Sequence, residues 1–271
     1  MTNVRAKLLL ETMEESRIPD TPSGVNEFPG GKTTVVDLAE GNAFGRAAGR
    51  YITVETERMQ KLGGETFEAA VKEVARHLAK MIRGDRVLVA ALGTSESTPD
   101  ALGPKMMRHL LVTRPFEKIA PELLGPGKMR TLSALCTNVY GVTGIESAEL
   151  LRGAIREVHP DTVIVVDALA TSSLDRLCAT VQLADRGIIP GSGVGNDRQD
   201  VTEETLGVPV LSVGMPTVMS AAEFTKNADG LIVIPYDIAA AVEGGAKLLG
   251  LSVSRAAHFE MPVPEILGYR A

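Results

Sequence analysis

The sequence predicts an α/β fold, a mostly parallel sheet with helices on both faces. Three observations carry that expectation. Short apolar, β-branched runs such as residues 162–167 (TVIVVD) have the length and composition of strands buried on both faces. Segments with apolar residues at helical spacing lie between such runs. The two kinds alternate, and strand–helix–strand order implies right-handed crossovers between parallel strands.

The elements follow in chain order. Residues 1–34 read as a lead-in, because Pro19-Asp20-Thr21-Pro22-Ser23-Gly24 and Pro29-Gly30-Gly31 are turn chemistry. A hairpin-like region comes next, with residues 33–38 and 50–55 extended around residues 41–49. Phe67, Ala70, Val71, Val74, Leu78, Met81 and Ile82 mark a helix, with Gly84 placed as its C-terminal cap. Residues 86–92 (RVLVAAL) read as a buried strand, 103–112 as a helix and 131–136 as another strand. Ala148, Leu151, Ile155 and Val158 mark a second amphipathic helix. Residues 162–167 form the strongest strand, ending on Asp167, and residues 208–214 form a further one. A last helix over 238–249 is weakened by the Gly244-Gly245 pair inside it. Residues 35–271 are expected to form one domain.

Composition narrows the function classes. A chain of 271 residues can build a full core without disulfides or a structural metal. No apolar run approaches the roughly 18 residues of a membrane span, and the acidic N-terminal stretch is no secretory signal. Two cysteines, Cys136 and Cys178, make neither a disulfide framework nor a zinc spacing, which places the chain in the cytoplasm. A net charge of −6 argues against a nucleic-acid backbone as the main partner and is compatible with a basic or neutral polypeptide.

In a parallel sheet, ligands bind beyond the carboxyl ends of the strands. Residues 93–104, 137–146, 167–176 and 214–221 therefore should line the site, with the glycine-rich 187–198 stretch against them. Two carboxylates stand out there. Asp167 ends the best strand, and Asp100 lies in the loop leaving an earlier one. Two facing carboxylates cannot both ionise cheaply, so one pKa rises and the pair can divide acid and base work on an amide. The competing reading makes Asp100 a helix N-cap and ties Asp167 to backbone amides across the sheet. Glu146 is a third candidate acid, which also suits a helix start. Lys105 and Arg176 are candidate cations for holding one aspartate ionised, with solvated surface charge as the alternative. Ser192, Gly193 and Gly195 lie in a tight loop whose amides could hold a substrate carbonyl.

Other features point elsewhere. Gly31-Lys32-Thr33 lacks the first glycine of a phosphate loop, Asn26 standing in its place. Cys136 sits at a strand end, and both cysteines read best as small buried hydrophobes, Cys178 within a helical pattern. His77, His109, His159 and His258 are scattered without metal-ligand spacing, so neither metal nor other cofactor is expected.

At these segments the sequence resembles the germination protease family, spore endopeptidases that degrade small acid-soluble spore proteins. The resemblance rests on Ser97-Thr98-Pro99-Asp100-Ala101-Leu102-Gly103-Pro104, Thr143-Gly144-Ile145-Glu146, Val166-Asp167-Ala168-Leu169-Ala170, residues 187–196 (GIIPGSGVGN) and Leu206-Gly207-Val208-Pro209-Val210. It extends from about residue 33 to about residue 255. It implies a fold similar to the hydrogenase maturation endopeptidases, a tetramer, a spore-core location, and two catalytic aspartates that map onto Asp100 and Asp167. The chain departs from the family at Arg5-Ala6-Lys7-Leu8-Leu9, at Gly93-Thr94 and at Thr137-Asn138. Two alternatives stand beside the paired-aspartate endopeptidase: a metal-recognising maturation-type endopeptidase, and an inactive relative that binds a protein partner.

Overall fold

The computed structural model describes residues 8–16, 24–191, 198–225, 228 and 230–270. Its strands are β1 (Gly24–Phe28), β2 (Gly31–Leu38), β3 (Gly49–Thr56), β4 (Arg86–Leu92), β5 (Thr131–Asn138), β6 (Thr162–Thr171), β7 (Thr180–Ala184), β8 (Val210–Ser220) and β9 (Ile232–Val233). They form one sheet in the order β1-β2-β3-β7-β8-β6-β4-β5, with β9 paired to β8. The ladders β5–β4, β4–β6 and β6–β8 are parallel, and the remaining pairings are antiparallel. The parallel half is the α/β unit that the alternating runs predict, and the antiparallel half extends the same sheet.

The helices are α1 (Leu9–Ser16), α2 (Gly64–Ala79), α3 (Leu102–Met106), α4 (Phe116–Ile119), α5 (Tyr140–Thr143), α6 (Ser147–Val158), α7 (Glu203–Leu206), α8 (Ile238–Ala257) and α9 (Val263–Arg270). Strand alternation sends side chains to two cores. Along β4, Val87 and Val89 join the larger core under α2, α3 and α8. Leu88, Ala90 and Leu92 join the smaller core under α6 and α7. In β6, Ile164 and Val166 face the first core, and Val163 and Val165 the second. On the second face α1 packs at the far end, its Leu9 and Leu10 against Val36, Leu38 and Phe44. Between α1 and the α6–α7 pair, no helix among the described residues covers the sheet.

Several boundaries differ from the sequence reading. Residues 24–34 belong to the β1–β2 hairpin rather than to a lead-in, since Gly24–Phe28 pairs residue by residue with β2. Helix α2 stops at Ala79, and Gly84 (φ +66°) turns the chain into β4 against the Asp161 side chain. The helix expected through residue 112 ends in a 3-10 turn at His109, after which Leu110 is extended. The last helix runs unbroken through Gly244 and Gly245. A Cβ at these positions would come within 2.6 Å of the Met59 carbonyl oxygen and of the Met215 side chain. The pair thus allows α8 close approach, which offsets its poor helix propensity.

Candidate active site

Strand β6 does not end at Asp167 but continues four residues beyond, to Thr171. What ends there is its parallel partner: the last rung of the β4–β6 ladder joins Ala91 to Val166. Asp167 therefore emerges where β4 has parted from β6, on the second face, and is 7% exposed. The chain leaving β4 returns over that gap through a 3-10 turn at Thr98–Asp100 and then α3. Two glycines let it lie so low. Gly93 has φ +90°, and a Cβ there would reach the Asp100 carbonyl oxygen at 2.1 Å. A Cβ on Gly103 would meet the Leu92 carbonyl oxygen at 2.3 Å. Gly103→Ala is thus expected to lower the unfolding free energy by about 1–3 kcal/mol, measured by urea titration, because backbone must shift to admit the methyl.

Asp100 and Asp167 line one cavity of about 930 Å³. Its floor is the uncovered sheet, including Gln182, Ala184, Ser212 and Gly214. All four strand-end segments expected to line the site contribute to it, as do residues 187–191 and Arg198 of the glycine-rich stretch. Ser192, Gly193 and Gly195 lie outside the described residues. Glu146 reaches the rim as the N-cap of α6, its amide donating to the Glu149 carboxylate at 2.9 Å.

The electrostatics of the two aspartates are unequal. Burial pushes the Asp167 carboxyl up to about 7, and the nearby charge of Asp100 adds to the rise. The Ala168 amide, donating to Oδ1 at 2.9 Å, opposes it. Burial also raises Asp100, countered by the Thr94 amide donating to Oδ2 at 3.0 Å. Each acid holds one backbone amide, but not as the structural reading required: Asp100 lies inside the 3-10 turn while Ala101 is the N-cap of α3, and the amide on Asp167 belongs to its chain neighbour Ala168 rather than to a strand across the sheet. The charge of Asp100 is also felt at Asp167, as expected of two carboxylates on one cavity. The pair can share one proton near neutral pH.

The cations expected beside the aspartates are elsewhere. Lys105 pairs with Glu243 at 3.4 Å. Arg176 is buried between Glu14, at 2.5 and 2.8 Å, and Glu55, at 3.3 Å. It clamps α1 to the sheet, and no cation contributes to the shift of either aspartate. Glu11 reinforces that clamp, accepting from the Ser172 amide and hydroxyl at 3.0 Å and from the Thr171 hydroxyl at the end of β6. Leu8 and Leu9 thereby become a wall of the cavity. Arg46, Tyr51, Asp185 and Arg186 also line it and were not singled out from sequence. Nothing local marks them; pairing of β3 with β7 brings them in.

Cys136 is exposed on β5 rather than buried. Cys178 is buried as expected, but in a left-handed turn (φ +54°) and not a helix, with burial pushing its thiol up to about 12. None of the four histidines lines the cavity. His77 meets Glu73, His109 meets Glu243, and His258 is buried against the Leu111 carbonyl. Among the described residues no three His, Cys, Asp or Glu side chains are grouped to hold a metal ion. No helix among them is long and apolar enough to cross a membrane.

A sequence profile described as germination protease matches residues 24–243. The chain is similar to the germination protease of Priestia megaterium, 40% identical over 209 residues, covering 74% of this chain and 56% of that protein. It is 40% identical over 233 residues to that of Caldanaerobacter subterraneus subsp. tengcongensis, covering 83% and 72%. For the germination protease of Halalkalibacterium halodurans the figures are 43% over 190 residues, 68% and 51%. The chain thus spans little more than half the length of two of these three relatives. Among solved structures, the NiFe hydrogenase maturation protease HycI from Thermococcus kodakarensis KOD1 aligns with a TM-score of 0.40 and 17% identity, covering 67% of this chain and 98% of that one.

Proposed function

The chain belongs to the germination protease family, and on that premise we propose that it is an endopeptidase in which Asp100 and Asp167 activate water against a peptide bond. The observation that carries this reading is the pairing itself: a buried and a half-buried carboxylate on one cavity, with Asp167 raised to about 7 chiefly by burial and partly by the charge of Asp100. Asp167 is the proton holder, being the more buried and lacking any cationic partner. Asp100 is the ionised member.

The steps balance as follows. Asp100 takes a proton from water as its oxygen bonds to the carbonyl carbon. Asp167 gives its proton to the carbonyl oxygen, forming a neutral tetrahedral diol. Asp100 then passes its proton to the nitrogen while Asp167 recovers one from a diol hydroxyl. The C–N bond breaks, releasing acid and amine with both carboxyls restored. The open, sheet-floored cavity suits an extended polypeptide. Small acid-soluble spore proteins, the substrates the family resemblance implies, fit as chains without a packed core of their own. Incubating the pure chain with such a protein, with fragments read by mass spectrometry, should give discrete internal cuts. An intact substrate after prolonged incubation refutes the proposal.

A further inference from the structure

We propose that the outer edge of β5 is a docking strand for the polypeptide substrate, which adds to the sheet there and runs from it into the cavity. This rests on the endopeptidase reading above. Among the described residues, strand β5 is an edge of the sheet and pairs with β4 alone. Its hydrogen-bonding directions are fixed by Leu132, whose amide donates to the Thr113 hydroxyl at 2.8 Å and whose carbonyl accepts from the Thr113 and Arg114 amides at 3.1 and 3.0 Å. Both main-chain groups of Leu132 therefore point away from β4. Alternation along a strand turns those of Ala134 and Cys136 the same way. The 113–114 segment caps the edge only at Leu132; Ala134 is half-buried and Cys136 exposed.

Exposed edges are usually blunted by charge or proline. Residues 131–138 (TLSALCTN) contain neither. At the other edge of the sheet, β1 has five residues and includes Glu27. The open window on β5 leads directly to the cleft, because Asn138, its last residue, lines the cavity. A register shift between Ala91 and Leu92 leaves Thr137 as an extra residue there, which bends the strand end. Beyond it lie exposed apolar side chains: Tyr140 at 45%, Val142 at 59% and Ile145 at 43%. An edge supplying main-chain hydrogen bonds, followed by an apolar rim, recognises an extended segment with apolar residues through its backbone. Such recognition needs no folded partner, which fits a disordered substrate.

The edge is tested by Ala134→Pro and Cys136→Pro. Each removes one outward amide without touching the ladder to β4, and edge strands tolerate proline. The comparison uses one full-length small acid-soluble spore protein and a short peptide covering its scissile bond. KM for the protein should rise about fivefold in each variant, the worth of roughly one hydrogen bond. The kcat, and cleavage of the short peptide, should not change. Alkylation of Cys136 by iodoacetamide in an Asp167→Asn chain, which needs no proline and no turnover, should be slowed by saturating protein. Unchanged KM in folded proline variants, or full-rate alkylation under saturation, overturns the docking edge while cleavage by the parent chain leaves the endopeptidase standing. A parent chain that cuts neither substrate overturns both.

Discussion

Asp167→Asn should abolish peptide cleavage, lowering the rate by about a thousandfold or more, while making the folded chain more stable at pH 8. The two effects have one cause. A buried carboxyl with a folded pKa near 7, against an ordinary 3.8, keeps its proton in the folded state through a range where the unfolded chain has released it. Its contribution to stability is complete below about pH 4 and is lost as pH rises towards 7. Above that, the folded chain carries a buried charge beside Asp100. The shift corresponds to about 4 kcal/mol at most, and asparagine should recover about 1–3 kcal/mol of it at pH 8. Asparagine can neither supply nor recover a proton, so the same change stops the chemistry. Asp100→Asn should stop it equally, with a smaller gain in stability, and should lower the Asp167 midpoint by removing a neighbouring charge. Urea titrations at pH 5 and pH 8, beside cleavage assays, check all of this. A variant that keeps its turnover, or loses stability at pH 8, contradicts the account.

If the proposed chemistry holds, the parent chain should show a bell-shaped pH profile of kcat/KM. Its alkaline limb should fall above about pH 7, approaching tenfold per unit, as the shared proton is lost. Its acid limb should lie above the ordinary aspartate range, because burial raises Asp100 too. Both midpoints belong to the pair, so either Asn substitution should disturb both limbs of any residual activity. A flat profile between pH 6 and 9, with the chain folded throughout, would exclude the shared proton.

The sequence was most legible where side chains alone dictate the element. The run Arg86–Leu92 is continuous and apolar, and its strand has the same ends as read from sequence. Helix α6 follows its apolar spacing, and Asp100 and Asp167 were marked by their positions against such runs. What escaped depends on partners. Strand β1, GVNEF, is almost wholly exposed, with no apolar alternation, and exists because β2 supplies its hydrogen bonds. Strand β7 is five residues long and starts two residues after a left-handed Cys178, itself read within a helical pattern, so no strand was marked there. Strands β6 and β8 outrun their apolar cores because they pair with each other as far as Thr171 and Met219. Lys105 and Arg176 could not be assigned because a cation's partner is chosen in space, and Glu243, Glu14 and Glu55 are distant in sequence.

The bare stretch of sheet between α1 and the α6–α7 pair has a corollary. Asp100 is held by the turn that follows β4 and Asp167 by β6, whereas Gln182, Ala184 and Ser212 look onto the cleft from β7 and β8. Under the proposed function, preference among peptides should follow the side chains at Gln182, Ala184 and Ser212, which can change while the elements that hold the two acids stay as they are.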